Sequence, residues 1–120
     1  MKGVLINPKR GISQVDFKDN LEEFYNLLEC QTIDILSVKV GNIVYDVICD
    51  DEALLKENPI PSIVDKNGSA IIFGNALLCK ADNEGNQIGL TKGEITNILN
   101  HRKIGILGNS ITYIVFGAGF

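Results

Sequence analysis

Apolar and polar positions divide the chain into short segments, most of them with the periodicity of strands. Val4-Leu5-Ile6 is a brief apolar run that stops at Asn7-Pro8. Proline cannot donate to a strand ladder, so Asn7 to Gly11 predicts a turn. Ile12 to Phe17 then returns as a second strand, with Val15 and Phe17 on one face. Thr32 to Val40 and Ile43 to Cys49 are rich in β-branched residues and flank Gly41-Asn42. A two-residue loop with glycine first suits a hairpin, because that position needs a positive φ. The same dipeptide at Gly108-Asn109 predicts a second hairpin, from Ile104–Leu107 and Ser110–Phe116. Ala70 to Cys79 reads as the most apolar strand, interrupted at Gly74 by a bulge or a close backbone approach.

Two segments carry helical spacing. Asp19 and Glu22 match a capping box, with the Asp19 side chain taking the N–H three residues on. Leu21, Phe24, Tyr25 and Leu28 then form one apolar stripe, and Glu22 and Glu23 suit the positive end of the helix dipole. Thr91 and Glu94 form a second capping box, framed by Leu90 and Ile95 at the staple positions. Ile95, Ile98 and Leu99 supply a narrower stripe that Asn100 ends. Ala53 to Glu57 predicts one helical turn. Asn58 to Ser62 is extended or irregular, since each proline restricts the residue before it. The order β-β-α-β-β-coil-β-α-β-β points to one α+β domain over residues 1–120. It predicts an antiparallel or mixed β-sheet built from several hairpins, with two short helices on one face.

Composition narrows the class. The chain has 120 residues, 45% hydrophobic and 22% charged, with a formal net charge of −4 and three cysteines. This is ordinary globular composition. The acidic balance, the scattered basic residues and aromatics that do not interleave with them argue against a nucleic-acid partner. No stretch approaches the ~20 apolar residues of a membrane span. The first apolar run is too short for a signal-peptide core, so the expected location is the cytoplasm. Cys30, Cys49 and Cys79 stand too far apart for a paired zinc spacing and are odd in number; they read as core or half-buried thiols.

Candidate chemistry is sparse. Asp16 to Glu57 holds eleven acids against three lysines, densest at Asp50-Asp51-Glu52. Such a run is a solvated turn, a patch for a basic partner, or, if a loop folds the oxygens together, a site for a hard cation. Asp82-Asn83-Glu84-Gly85 fails as a calcium loop because its glycine comes fourth and Gly93 stands where the last glutamate belongs. His101 is the only histidine and sits where a basic residue complements a helix C-terminus. No phosphate loop, paired-histidine metal site or nucleophile elbow occurs, so no catalytic residue, metal or cofactor is assigned. The apolar strand Ile111 to Phe120 must lie inside the sheet or pair with a second copy, which brings a homodimer into play.

One resemblance is present. K-G-V-L-I-N-P at Lys2 to Pro8, Y-D-V-I-C-D-D-E at Tyr45 to Glu52, N-P-I-P-S at Asn58 to Ser62, I-F-G-N-A-L-L ending at Leu78 and D-N-E-G with the following L-T occur in this order. Together they resemble a small uncharacterised domain family of Firmicutes, their phages and conjugative elements, over about residues 2–98. The hairpin at about residues 104–116 falls beyond the pattern. The resemblance brings no catalytic residues. What it implies is a small acidic protein that binds a host or phage factor stoichiometrically.

Three readings follow. The first is a protein-binding module using Asp50, Asp51 and Glu52. The second is a small-molecule or nucleotide-binding domain, with Asn58, Pro59, Ser62, Phe73, Gly74 and Asn75 lining a cleft where glycine admits a ligand to the backbone. The third is a hydrolase-type enzyme built on His101 or Cys49, which needs a spatial partner for either residue.

Overall fold

A computed structural model describes residues 1–56 and 58–120. The elements are β1 (Lys2–Asn7), β2 (Gly11–Asp16), α1 (Leu21–Leu28), β3 (Ile33–Val40), β4 (Ile43–Asp50), a 3-10 turn (Ala53–Leu55), β5 (Pro61–Asp65), β6 (Ala70–Phe73), β7 (Ala76–Ala81), β8 (Gln87–Ile88), α2 (Lys92–Asn100), β9 (Arg102–Leu107) and β10 (Ser110–Gly119). The helical turn expected over Ala53 to Glu57 is present as Ala53–Leu55; its last position, Glu57, lies outside the described residues.

The strands form one mixed sheet in the order β2-β1-β7-β4-β3-β10-β5-β6, with β8 beside β7 and β9 beside β10. All pairings are antiparallel except β5 with β10. Both expected hairpins are there. Gly41 and Gly108 take φ of 60° and 61°, the left-handed conformation that a residue without Cβ adopts freely. The sheet is not closed, but it curls until the Tyr113 N–H of β10 donates to the Pro8 carbonyl at 3.0 Å.

The central strands are buried on both faces, and side-chain alternation assigns each residue to one of them. Val4, Ile6, Tyr45, Val47, Ala76 and Leu78 point to the face covered by Ile95 and Ile98 of α2. Ile48, Leu77 and Cys79 point to the other, covered by Phe24 and Leu28 of α1 together with Phe17. The helices therefore lie on opposite faces, not on one. The near-continuous apolar runs of β4 and β7 supply both layers with side chains, as two-sided burial requires.

Other expectations need correcting. The first helix is capped by Asn20, whose side chain accepts from the Glu23 N–H at 2.8 Å. Asp19 instead accepts from the distant Gln87 N–H at 3.1 Å. Leu21 leaves the apolar stripe and faces solvent. Ala70 to Cys79 is two strands: at Gly74 the chain leaves the β5 edge, and β7 enters the centre between β1 and β4. The Thr91 box is as expected, with the Glu94 N–H donating to Oγ1 at 3.2 Å and the Thr91 N–H to Glu94 Oε1 at 2.8 Å. Among the described residues no helix is long and apolar enough to cross a membrane.

Candidate functional site

Several chain reversals meet at one end of the sheet. The turn after β1, the C-terminus of α1, the end of β4 and the entry to β7 surround a cleft of about 260 Å³. Its formation is local in origin. Helix α1 ends on Glu29 at φ 54°, with its N–H donating to the Tyr25 carbonyl. The Asn75 amide then donates to the Leu28 carbonyl and to Glu29 Oε2, both at 3.2 Å, satisfying a helix-end acceptor. Glu29 and Asn58 are the positive-φ residues other than glycine among the described residues, and both line the cleft with Gly74. Left-handed backbone at a side-chain-bearing residue costs ~1–2 kcal/mol and gathers where geometry matters more than stability.

Of the six residues expected at a ligand cleft, the structure brings together Asn58, Pro59, Gly74 and Asn75. Ser62 is fully buried and donates to the Ile72 carbonyl at 3.2 Å, within the β5–β6 pair. Phe73 lines a separate recess of about 160 Å³ with Leu36, Leu54 and Ile71, rimmed by Asp34 and Asp51. The cleft also holds Lys9, Arg10, Lys56 and Glu29, which sequence reasoning missed, together with Asp50, which it had named only as part of the acidic run. Arg10 stands 3.9 Å from Glu29. Lys9-Arg10 was legible as a basic pair beside Pro8, but its meeting with Lys56 was not.

The acidic run separates into two roles. The Asp50 side chain is only 6% exposed; it accepts from the Glu52 N–H at 2.9 Å and pairs with Lys56. This bond to the carboxylate is the first cause that raises the Lys56 ammonium above its ordinary value. Asp50 thus ties the turn to the sheet, while Asp51 and Glu52 reach solvent. Ala53 is buried beneath them, and Leu54 and Leu55 project at 65% and 83% exposure. The run A-L-L-K carries this signal in its composition, but a short apolar run reads equally as core.

The residues weighed for chemistry lie apart from the cleft. His101 caps α2, its Nδ1 2.7 Å from the Asn97 carbonyl. Burial first, then Asp34 and its acidic neighbours, push the Cys49 thiol up to about 11. Cys30 is half-buried and also raised, by burial and then by Asp50. Asp82 accepts from the N–H groups of Glu84 and Asn86, each at 2.9 Å, so its carboxylate serves its own loop. Among the described residues no cluster of three His, Cys, Asp or Glu side chains is placed to hold a metal ion.

No curated protein and no solved structure matches this chain. A family model, that of the domain of unknown function DUF3846, matches residues 1–103. Its span takes in the cleft, the acidic turn and both helices, and stops within β9. On that match, the chain belongs to the DUF3846 family.

Proposed function

We propose that this chain is a non-enzymatic binding protein that acts stoichiometrically on a protein partner in the cytoplasm, modulating a host or phage factor. The observation that carries the reading is the turn after β4. Leu54 and Leu55 project into solvent beside Asp51 and Glu52, on a base fixed by buried Ala53 and the Asp50–Lys56 pair. Two exposed leucines on an anchored turn cost solvation and contribute little to the core, which suits a contact surface. The flanking acids favour a partner that offers an apolar groove with a basic rim. The setting among phages and mobile elements comes from the family resemblance and is analogy.

The test is affinity capture by the intact chain against two variants, L54S/L55S and D51N/E52Q. The expected result is one protein retained by the wild type, lost with the first variant and weakened in a salt-dependent way with the second. Retention unchanged by both variants, or no retained protein at low salt, overturns the reading.

A second reading rests on the cleft, where Asn58 and Gly74 converge with three cations and the carboxylates of Glu29 and Asp50. Its size and mixed charge fit a small polar metabolite better than a macromolecule. A ligand at 100 times its Kd adds about 2.7 kcal/mol of stability, so a thermal-shift panel of metabolites and nucleotides tests it.

A further inference from the structure

The described sheet leaves four strands paired on one side only: β2, β6, β8 and β9. Three of these edges are blunted, β8 by having only two residues. Strand β2 carries Ser13 and Gln14, and its end is closed by the Lys2–Asp16 ion pair at 2.8 Å. Strand β6 has four residues and an irregular register with β5. Strand β9 has none of these protections. It pairs with β10 in unbroken register over six residues. Ile104 and Ile106 stand 62% and 82% exposed, and Leu107 and Ile111 are exposed beside them. A regular, apolar, unpaired strand is a template for another strand.

The backbone is oriented for it. In a two-residue hairpin the flanking pair, Leu107 with Ser110, is hydrogen-bonded, and the pattern then alternates along the strands. The amides and carbonyls of Ile104 and Ile106 therefore turn outward. Tyr113, opposite Ile104, shows the same alternation on the other strand: its N–H points away from β9, to Pro8.

We propose that the free edge of β9 pairs antiparallel with β9 of a second copy about a two-fold axis through Gly105, joining two sheets into one. The occupant is identified by self-complementarity. Side-by-side antiparallel pairing of identical strands requires the axis to stand normal to the sheet, which places residues of the same face opposite one another. With Gly105 on the axis, Ile104 meets Ile106 of the other copy twice, and Lys103 meets Leu107. Each isoleucine pair is flanked on the same face by Tyr113 and Ile111, the neighbours of Ile104 and Ile106 on β10. Two apolar rows cross the junction, and no cation faces a cation. The strand that the sequence offers for self-pairing, Ile111 to Phe120, is covered differently along its length: Val115 to Ala118 has β5 on one side with β9 or β3 on the other, whereas Ile111 to Ile114 pairs β9 on one side and turns the Tyr113 N–H to the Pro8 carbonyl on the other. The contact is smaller than the roughly 800 Å² per partner of a standard interface, so micromolar association is expected.

Sedimentation of the full chain from low micromolar to about 1 mM tests this. The wild type should shift with concentration from the 13.1 kDa monomer to twice that mass. I106E places a carboxylate opposite Ile104 of the other copy and should weaken the dimer by at least about tenfold. The double variant I104K/I106E sets lysine against glutamate at both positions of this register and should recover association. Both side chains are exposed, and unchanged thermal melting at dilute, monomeric concentration verifies the fold of each variant. A monomer at every concentration, a dimer indifferent to I106E, or weakening that the double variant does not recover overturns the proposal.

Discussion

Cys49 and Cys79 lie in the sheet, where burial and then nearby carboxylates push their thiols up to about 11 and about 12. The thiolate is the reactive form, and at neutral pH neither side chain supplies much of it. Cys30, half-buried after α1, is the accessible one. Titration of the native chain with an aromatic disulfide reagent should modify one thiol per molecule, Cys30, and reach the other two only on unfolding. Rapid labelling of all three in the folded state would contradict this placement. At the same scale the sequence holds a real ambiguity. Asp19 with Glu22 and Asn20 with Glu23 both fit a capping pattern, and residue type alone does not choose. The choice is made by Gln87, whose N–H occupies the Asp19 carboxylate from a distant part of the chain.

Helix α2 shows how much one element can declare of itself. Its box was legible because Thr91, Glu94, Leu90 and Ile95 all act within one turn. Its docking was not, because the partners are remote: Tyr45 donates to the Glu94 carbonyl at 2.7 Å, and the Asn97 amide donates to the Val40 carbonyl and the Tyr45 hydroxyl. Removing the cap with T91A should cost about 1 kcal/mol, and losing the tyrosine hydroxyl with Y45F a similar amount, both read from urea denaturation. Burial pushes the Glu94 carboxyl up, but bonds from Thr91 and the Lys80 ammonium outweigh it and hold the group below its ordinary 4.5. A depressed carboxyl stabilises the fold above its unfolded value, and the contribution is lost as pH falls through the folded one. Stability should therefore drop below about pH 4.5, with a shallower slope in E94Q; an identical slope in both chains would remove Glu94 from the account.

At the scale of the molecule, strand β10 decides most. Its residues Val115 and Ala118 are in the main core, and it separates β3 from β5. A fragment ending at residue 103, where the family match stops, should lose cooperative unfolding by circular dichroism, since it strips a neighbour from two strands at once. A sharp melt of that fragment would show that the sheet folds cooperatively without β10. Alternation and turn chemistry made the hairpins readable, but each describes neighbours in sequence. The parallel pairing of β5 with β10, the transfer of the chain at Gly74 and the helices on opposite faces all join remote segments. The doubly apolar runs I-V-Y-D-V-I-C and A-L-L-C held a hint of two covered faces, without saying which helix goes where. The cleft followed the same division: the proline and glycine turns were visible, whereas their meeting with Lys9, Arg10 and Lys56 depended on the sheet order.

The late position of β10 has a consequence during synthesis. Until residues 110–119 emerge, β3 and β5 wait with unsatisfied edges in the nascent chain. Loop-closing entropy must be met before such remote pairings repay it, so the pairing of β10 with β3 and β5 is expected to follow the local hairpins. In that interval the waiting edges are the points at which crowded ribosomes would entangle neighbouring copies, and holdase chaperones would have most to protect.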